Sequence, residues 1–490
     1  MVELQLPKLL TWVRFPSPAP ILLAAALIVA VPAGADAIDD LVRAEMQRQK
    51  IPGLALAIIK DGQPFKIAGY GESNVEHHVA VVPQTVFQSG SVGKQFAAAA
   101  IQLLAAEGKL SFDDPLSRWI THVPPSLDRI TIRHLLTHTS GIREYTDGEN
   151  GPAFDFRADY DEQRLVDLAL RQPRDFEPGS RWSYSNTGYL LLGAVIRQAC
   201  GMYYGDFLAQ RIFGPLGMTT ARIISEADIV PNRAAGYELI DGGLKNQEWV
   251  SPSLNTTADG SLYLSVLDLV RWDAALRDVK LLSRQQLDQA WTPVTLSGGG
   301  TYPYGFGWFI GEQRGWRNIE HGGAWQGFRT QIARYVDRDL TVIALANLAE
   351  ADPHWIAQRV AGLVDAALAL PDPARAMPDP NPQRTQAVLD ALTAWSEGGT
   401  SSAMTAGYAA DLKAIPGSTY RRGLVRKGLE ARTSFHFLDE VEVAGRDIER
   451  HGAKVAKILY LGLSGPEGSD LVTAYLDSAG KVAALSFNGS

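Results

Sequence analysis

Residues 54–59, Leu-Ala-Leu-Ala-Ile-Ile, form an unbroken apolar run, and a second apolar segment follows at 65–70 after Lys60-Asp61-Gly62. Two short apolar segments around an Asp-Gly pair predict a β-hairpin. From Ser91 to Gly108 the period changes: Phe96, Ile101, Leu103 and Leu104 recur among alanines, and a glycine closes the stretch. That pattern predicts a helix. Residues 113 to about 294 read as helical pieces joined by loops, clearest over 189–198 and 266–277. Strand patterns return at 305–310, 328–336 and 341–347, and a helical pattern over 355–368 closes this part. Strands at both ends with helices between them predict an α/β fold. One antiparallel sheet, flanked by helices, is assembled from both ends of the unit, and a helical domain is inserted between them.

Residues 371–382 carry five prolines in twelve positions, the composition of a stiff, extended linker. Such a spacer predicts few shared core contacts, so the unit over 38–370 is expected to fold and act without the unit over 383–490. The second unit reads as a helix over 384–395, then alternating runs at 434–443, 454–463, 471–476 and 482–487. This is a small α+β unit with a meander of about four strands. A length of 490 residues is in keeping with more than one core.

At the other end, Lys8 and Arg14 precede an apolar run over 21–31, and small residues follow in two A-x-A patterns at 33–37. Positive flank, short apolar core and small-residue exit predict an export signal over 1–37 and a periplasmic or secreted mature protein. The run is short for a bilayer span, which takes about 20 residues. Stable membrane insertion is therefore not expected after cleavage; an uncleaved anchor is the alternative.

Net charge narrows the partners. A formal charge of -8 with no long Lys/Arg run argues against a nucleic-acid surface. The single cysteine, Cys200, allows no intramolecular disulfide, and its apolar helical setting reads as a packed thiol.

Three short patterns carry chemistry. Ser91-Val92-Gly93-Lys94 is an S-x-x-K sequence where a glycine-flanked loop enters a helix. There, positions i and i+3 share a face, so the Lys94 ammonium can reach the Ser91 hydroxyl. A helix N-terminus also offers free N–H groups to a developing anion. A second S-x-x-K, Ser478 to Lys481, follows Asp477 between two strand patterns and reads as a hairpin tip. Tyr184-Ser185-Asn186 lies in a loop just before a helix. A tyrosine passes protons if a nearby cation such as Lys94 lowers its pKa, and Asn186 is suited to holding Lys94 and a substrate amide together. His321-Gly322-Gly323-Ala324 precedes a strand pattern. Its paired glycines permit close approach of a substrate, and the Ala324 N–H would join that of Ser91 as an oxyanion hole.

The order and spacing of these patterns resemble the serine β-lactamases and penicillin-recognising enzymes, specifically their class C-like branch. That branch carries S-x-x-K, then Y-x-N, then a K/H/W-[TSG]-G triplet. The likeness extends to Phe87-Gln-Ser-Gly-Ser-Val-Gly-Lys-Gln-Phe96, to the interior stretch from Ile130 to Gly141, and to 262–276 with Asp268, Arg271 and Trp272. It covers about residues 38–370; the C-terminal unit matches nothing in the core family. The resemblance implies a β-lactamase-like fold and a serine hydrolase. Ser91 would form the acyl-enzyme, Lys94 and Tyr184 would move protons, and Asn186, His321, Gly322, Gly323 and Ala324 would bind substrate.

One departure bears on the substrate. Class C β-lactamases proper have Lys-Thr-Gly where this chain has His-Gly-Gly. Relatives with histidine there include D-Ala-type carboxypeptidases, D-amino-acid peptidases and esterases. The expected partner is thus a small molecule or short peptide with a reactive carbonyl. A true β-lactamase and a non-catalytic sensor of cell-wall peptides stay as alternatives.

No cofactor or metal is called for. His134 and His138 stand at i, i+4 but lack the glutamate of an H-E-x-x-H site, and a structural role is expected for both. G-x-S-x-G, P-loop and dinucleotide-loop patterns do not occur.

Overall fold

The computed structural model describes residues 34–146, 154–223, 228–260, 262–414, 419–431, 434–443, 445–446, 448–466 and 468–488. The expected export signal therefore lies almost wholly outside the described residues. Among them, no helix is long and apolar enough to cross a membrane.

A seven-stranded sheet organises the first unit. Its order is Phe309–Gln313, Trp316–Trp325, Phe328–Tyr335, Leu340–Ala346, Gly53–Lys60, Gln63–Asn74 and Val79–Ala80. Every neighbouring pair is antiparallel. The expected hairpin turns at Asp61 and Gly62, both at positive φ, as a two-residue β-turn of this hand requires. Pairing of Gly53–Lys60 with Leu340–Ala346, Leu54 opposite Ala346, joins the two ends of the unit as the pattern predicts.

The alternation of a strand's side chains then divides the core. Leu54, Leu56 and Ile58 face one side with Ile38, Val42, Ile356 and Val360. Those residues come from helices Gly34–Gln49 and Pro353–Val364, each presenting one apolar stripe. Ala55, Ala57 and Ile59 face the other side and the inserted helices. The centre of that layer is helix Lys94–Ala106, where four successive alanines favour helix and ten of thirteen residues are buried. Trp272 of helix Val266–Arg277 donates from Nε1 to Gln95 Oε1 at 2.9 Å. Asp273 of the same helix pairs with Arg334 at 2.7 Å and accepts from Thr341 Oγ1 at 2.8 Å, so this layer is fixed to the sheet.

Residues 305–308 do not form the expected strand, which begins at Phe309. A Cβ on Gly305 would lie 2.0 Å from Ala290 O, and one on Gly307 would lie 2.9 Å from Lys94 O. The chain there passes close against the start of the buried helix, and the apolar pattern reflects burial without strand pairing. Cys200 ends helix Asn186–Cys200 and is only partly buried, with Sγ 3.6 Å from Met202 O.

The C-terminal unit has the predicted meander, in the order Ser434–Glu442, Lys457–Gly465, Gly468–Leu476 and Val482–Asn488. Helix Pro382–Ser396 and two helices that the sequence pattern did not predict, Ala406–Ala414 and Thr419–Ala431, accompany it. The expectation of few shared contacts does not hold. Trp355 of the first unit is buried with Leu438, Val443, Ile448 and Tyr460 of the second. Arg314 pairs with Asp439 at 2.6 Å, and the half-buried Arg450 pairs with Glu312, itself largely covered. The linker itself is pinned: Pro373 O accepts from His436 Nε2 at 3.0 Å, and Met377 N donates to Phe437 O at 2.9 Å.

A chain ended at Leu370 should consequently be destabilised. Exposing a side chain the size of Trp355 costs about 2–3 kcal/mol by itself. Calorimetry should record a melting temperature several degrees below that of the full chain; an unchanged value would mean that the interface contributes nothing.

Candidate active site

Ser91 sits in a single 3₁₀ turn, Gly90–Gly93, that leads directly into helix Lys94–Ala106. Gly90 has φ +51°, and a Cβ there would lie 2.5 Å from Ala324 N. On the opposite side, a Cβ on Gly260 would lie 2.9 Å from Gly90 C and 3.1 Å from Ser91 N. The turn that carries Ser91 is thus clamped between the Trp316–Trp325 strand and residue 260, a fit that only glycines permit. Thr330 Oγ1 donates to Ser89 O at 2.6 Å and Ser89 N donates to Leu262 O at 2.7 Å, fixing the turn's entry. These contacts bring Ser91 beside the backbone of Ala324, the two N–H groups expected of an oxyanion hole.

Lys94 is fully buried. Its Nζ donates to Ser91 Oγ at 3.0 Å, to Asn186 Oδ1 at 2.7 Å and to the carbonyl of Asp259. Burial pulls its pKa down to about 8, against the opposing fields of the Asp259 and Glu144 carboxylates. Three acceptors match the three donors of an ammonium. A neutral amine has one donor fewer and a lone pair, which is free to accept the Ser91 proton.

Asn186 is the first residue of helix Asn186–Cys200, and the cap Ser185 accepts from Gly188 N at 3.2 Å. Such a cap contributes about 1 kcal/mol and sets where the helix begins. Asn186 N in turn donates to Glu144 Oε1 at 2.6 Å. Burial pushes the Glu144 carboxyl up to about 7.

Tyr184, two residues before that helix, is half-buried, and its hydroxyl is turned to the Ser91 side chain, which acts on its pKa. Lys94 Nζ lies over its ring face, 4.9 Å from the centroid. The expectation that Lys94 lowers the tyrosine's pKa is not met. Burial pushes it well above 10, and the Ser91 side chain works only partly against that. A hydroxyl held neutral in this way is able to give a proton, and a neutral Lys94 amine is able to take one.

His321 and the residues after it lie within the Trp316–Trp325 strand, not before a strand as the pattern suggested. The His321 ring is 2% exposed. Its Nε2 lies 3.1 Å from Tyr304 OH, its Nδ1 lies 2.6 Å from Gly322 O, and its centroid is 6.2 Å from that of Tyr184. It meets the site from behind Tyr184, among aromatic rings, and not as an open wall. Gly323 serves close approach: a Cβ there would lie 1.9 Å from Ser89 O. The ring of His138 lies 4.3 Å from that of Tyr184, tilted by 35°, and its Nδ1 accepts from Ser185 N at 3.1 Å. His134 caps its own short helix through Thr131. Ser478 is at an exposed hairpin tip, where Asp477 Oδ1 accepts from Ala479 N at 2.9 Å and Lys481 N at 2.8 Å.

Sequence reasoning missed Glu144, Asp259, Tyr304 and Phe309. None has a fixed spacing to the three patterns; the fold alone assembles them. The nearest signal was the interior stretch ending at Gly141, three residues before Glu144.

Burial holds His321 down to about 3, and His138 well below 6.5. Both are neutral when folded, whereas the unfolded chain takes up protons near 6.5. Stability is hence lost as pH falls below about 6.5, by up to about 1.4 kcal/mol per pH unit for each histidine. Glu144, raised to about 7, slopes the other way. His354, raised to about 9 because the field of Glu320 outweighs burial, slopes that way too, but only between about pH 9 and 6.5. The His321 share is isolated by His321→Gln, whose denaturant midpoint should fall less steeply between pH 6.5 and 5 than that of the wild type. Equal slopes would refute a buried neutral histidine.

The beta-lactamase family model matches residues 38–367, and the chain belongs to that family. Penicillin-binding protein 4* of Bacillus subtilis (strain 168) is 33% identical over 303 residues, 58% of this chain and 64% of that protein. The D-aminopeptidase of Gluconobacter oxydans (strain 621H) is 28% identical over 333 residues, 65% of this chain and 59% of the relative. The chain thus spans less than two thirds of the length of either relative. Among solved structures, a D-stereospecific amidohydrolase from Streptomyces sp. is 26% identical with a TM-score of 0.57, covering 66% of this chain and 97% of its own. The octameric penicillin-binding protein homologue from Pyrococcus abyssi, at 23% identity and TM-score 0.60, shares the fold over 91% of this chain and 94% of that one.

Proposed function

We propose that this chain is a serine hydrolase that forms an acyl-enzyme on Ser91 and cleaves an amide, with a D-aminoacyl amide or short D-peptide as substrate. The observation that carries the reading is Lys94 Nζ, buried and 3.0 Å from Ser91 Oγ, with the Tyr184 hydroxyl turned to the same side chain. Near pH 7, with a pKa of about 8, roughly a tenth of Lys94 is neutral, enough to serve as base.

Ser91 Oγ bonds to the substrate carbonyl carbon while its proton passes to neutral Lys94. The oxyanion is held by the N–H groups of Ser91 and Ala324. On collapse the C–N bond breaks, Tyr184 gives its proton to the leaving nitrogen, and the Lys94 ammonium reprotonates Tyr184. Water then attacks the ester by the same relay in reverse, releasing the acid and restoring Ser91. Asn186 holds the Lys94 amine in line, and Gly322 and Gly323 leave room for substrate along the strand edge. His321 supports Tyr184 from behind.

Amide cleavage with D-selectivity is supported by the names borne by the relatives, a D-aminopeptidase and a D-stereospecific amidohydrolase. Export belongs to the same proposal and rests on the apolar run at 21–31 and the small residues at 33–37. A hydrolysis panel tests the reading: a D-aminoacyl amide, its L-enantiomer, a D-Ala-D-Ala peptide, a short-chain aryl ester and a cephalosporin. The D-aminoacyl amide or the D-peptide should be turned over fastest. Fastest turnover of the cephalosporin would make the chain a lactam hydrolase instead.

A further inference from the structure

Behind Tyr184 lies Trp182, whose indole Nε1 is buried without a hydrogen-bond partner. No hydrogen bond thus fixes the indole, and it packs among aromatic rings. The closest is Tyr302, stacked on it at 3.9 Å and 10°. Tyr302 belongs to a small hairpin in which Val294–Thr295 pairs with Thr301–Tyr302. At its tip, Gly298 to Gly300, a Cβ would meet only open space, and the backbone bonds there stay within the hairpin, to Leu296, so the hairpin takes its place from its sides. On one side Ser297 N donates to Gly179 O at 2.8 Å. On the other, Thr301 Oγ1 donates to Glu449 Oε1 at 2.9 Å, and Glu449 belongs to the C-terminal unit.

The next residue reaches the same place by another route. Arg450 pairs with Glu312, both nearly withdrawn from solvent. Glu312 is on strand Phe309–Gln313, whose first residue lies parallel to the Tyr184 ring at 6.5 Å and 5°. Two consecutive residues of the C-terminal unit thus hold two of the segments behind Tyr184: the hairpin whose Tyr302 stacks on Trp182, and the strand whose Phe309 lies parallel to the Tyr184 ring.

We infer that the C-terminal unit is a positioning element of the candidate site: Glu449, through Thr301, Tyr302 and Trp182, fixes where Tyr184 presents its hydroxyl. The inference deepens the proposed function and rests on it for the role of Tyr184, but the mechanical part stands apart from any activity. None of these positioning residues touches Ser91 or Lys94. Their loss shifts a proton donor without removing one, so it lowers kcat more than it raises KM.

The experiment uses the full chain with Tyr302→Ala, Tyr302→Phe, Glu449→Ala and Glu449→Gln. Two readouts are taken: amide hydrogen exchange over residues 180–186, and kcat and KM on D-phenylalanine p-nitroanilide. In Tyr302→Ala, exchange over 180–186 should rise about tenfold or more, and kcat should fall about 10- to 100-fold with little change in KM. Phenylalanine keeps the stack and glutamine keeps an acceptor for Thr301, so both conservative variants should return to near wild-type values. Glu449→Ala should follow Tyr302→Ala in direction, and the pair combined should be no worse than Tyr302→Ala alone. Unchanged exchange over 180–186 in Tyr302→Ala and Glu449→Ala overturns the inference. So does a loss that the Phe and Gln variants fail to rescue, or two losses that multiply. A wild-type chain inert on the substrate, with exchange behaving as expected, would instead sink the proposed function and leave the positioning intact.

Discussion

Ser91→Ala is expected to abolish turnover, with a fall of about 10⁴-fold or more in kcat/KM. The nucleophile is the one group for which the site has no substitute. Lys94 and Tyr184 have no other hydroxyl between them, and the N–H groups of Ser91 and Ala324 would be left to polarise a carbonyl that nothing attacks. Labelling by a serine-directed fluorophosphonate should vanish in the same variant. Ser478→Ala is the matched control, because it carries the same S-x-x-K pattern on an exposed turn. There Lys481 Nζ is turned to Ser402 O at 3.0 Å, and no tyrosine or oxyanion donor is near by any contact described above. That variant should label and turn over as the wild type does. Wild-type turnover in Ser91→Ala would remove the basis for reading the chain as an S-x-x-K hydrolase.

Lys94→Ala and Tyr184→Phe should each lower kcat by about 10²- to 10⁴-fold, the range for a lost general acid–base. Because one proton passes through both, the double variant should be little worse than the worse single. Additive losses would mean two independent functions. The pH profile separates the partners. Lys94 acts as base only when deprotonated, and its pKa is drawn down to about 8 chiefly by burial. Activity should therefore rise with pH and level off above about 8. The carboxylates of Asp259 and Glu144 hold that pKa up against burial. Glu144→Gln keeps an acceptor for Asn186 N while removing one charge, so its ascending limb should move to lower pH. A limb that stays in place would mean that Lys94 does not set it.

Much of this arrangement was legible along the chain because it depends on local periods. The hairpin about Asp61 and Gly62, the helix at 266–277 and the strands at 328–336 and 341–347 each announce themselves through their own side chains. Ser91 with Lys94 was equally legible, since one helical turn brings i and i+3 together. What could not be read was whatever two distant segments build jointly. The depth at which Tyr184 is buried, which reverses the expected direction of its pKa, comes from rings on three other segments. The proline-rich linker misled for a related reason. Stiffness in the spacer says nothing of the faces that Trp355 and Leu438 present to each other across it. Helix Ala406–Ala414 escaped because its apolar residues are spread around it, and Thr419–Ala431 because Gly423 and Gly428 interrupt a mostly polar stretch.

The pairing of Gly53–Lys60 with Leu340–Ala346 has a consequence for how the molecule is made. The strand near the start of the unit lies inside the sheet, and one of its two neighbours is among the last segments of that unit to be synthesised. At ribosomal speeds of about 5–20 residues per second, that neighbour emerges on the order of half a minute later. Throughout that interval an apolar segment, Gly-Leu-Ala-Leu-Ala-Ile-Ile, has its hairpin partner on one edge and an open edge on the other. Such an edge is a template for pairing with another chain. Nascent copies therefore need a chaperone over this segment, or prompt removal from one another, for longer than chains whose neighbouring strands are consecutive. Yield from rapid overexpression should be limited here, by aggregation seeded at residues 53–60, before any defect of the finished fold is felt.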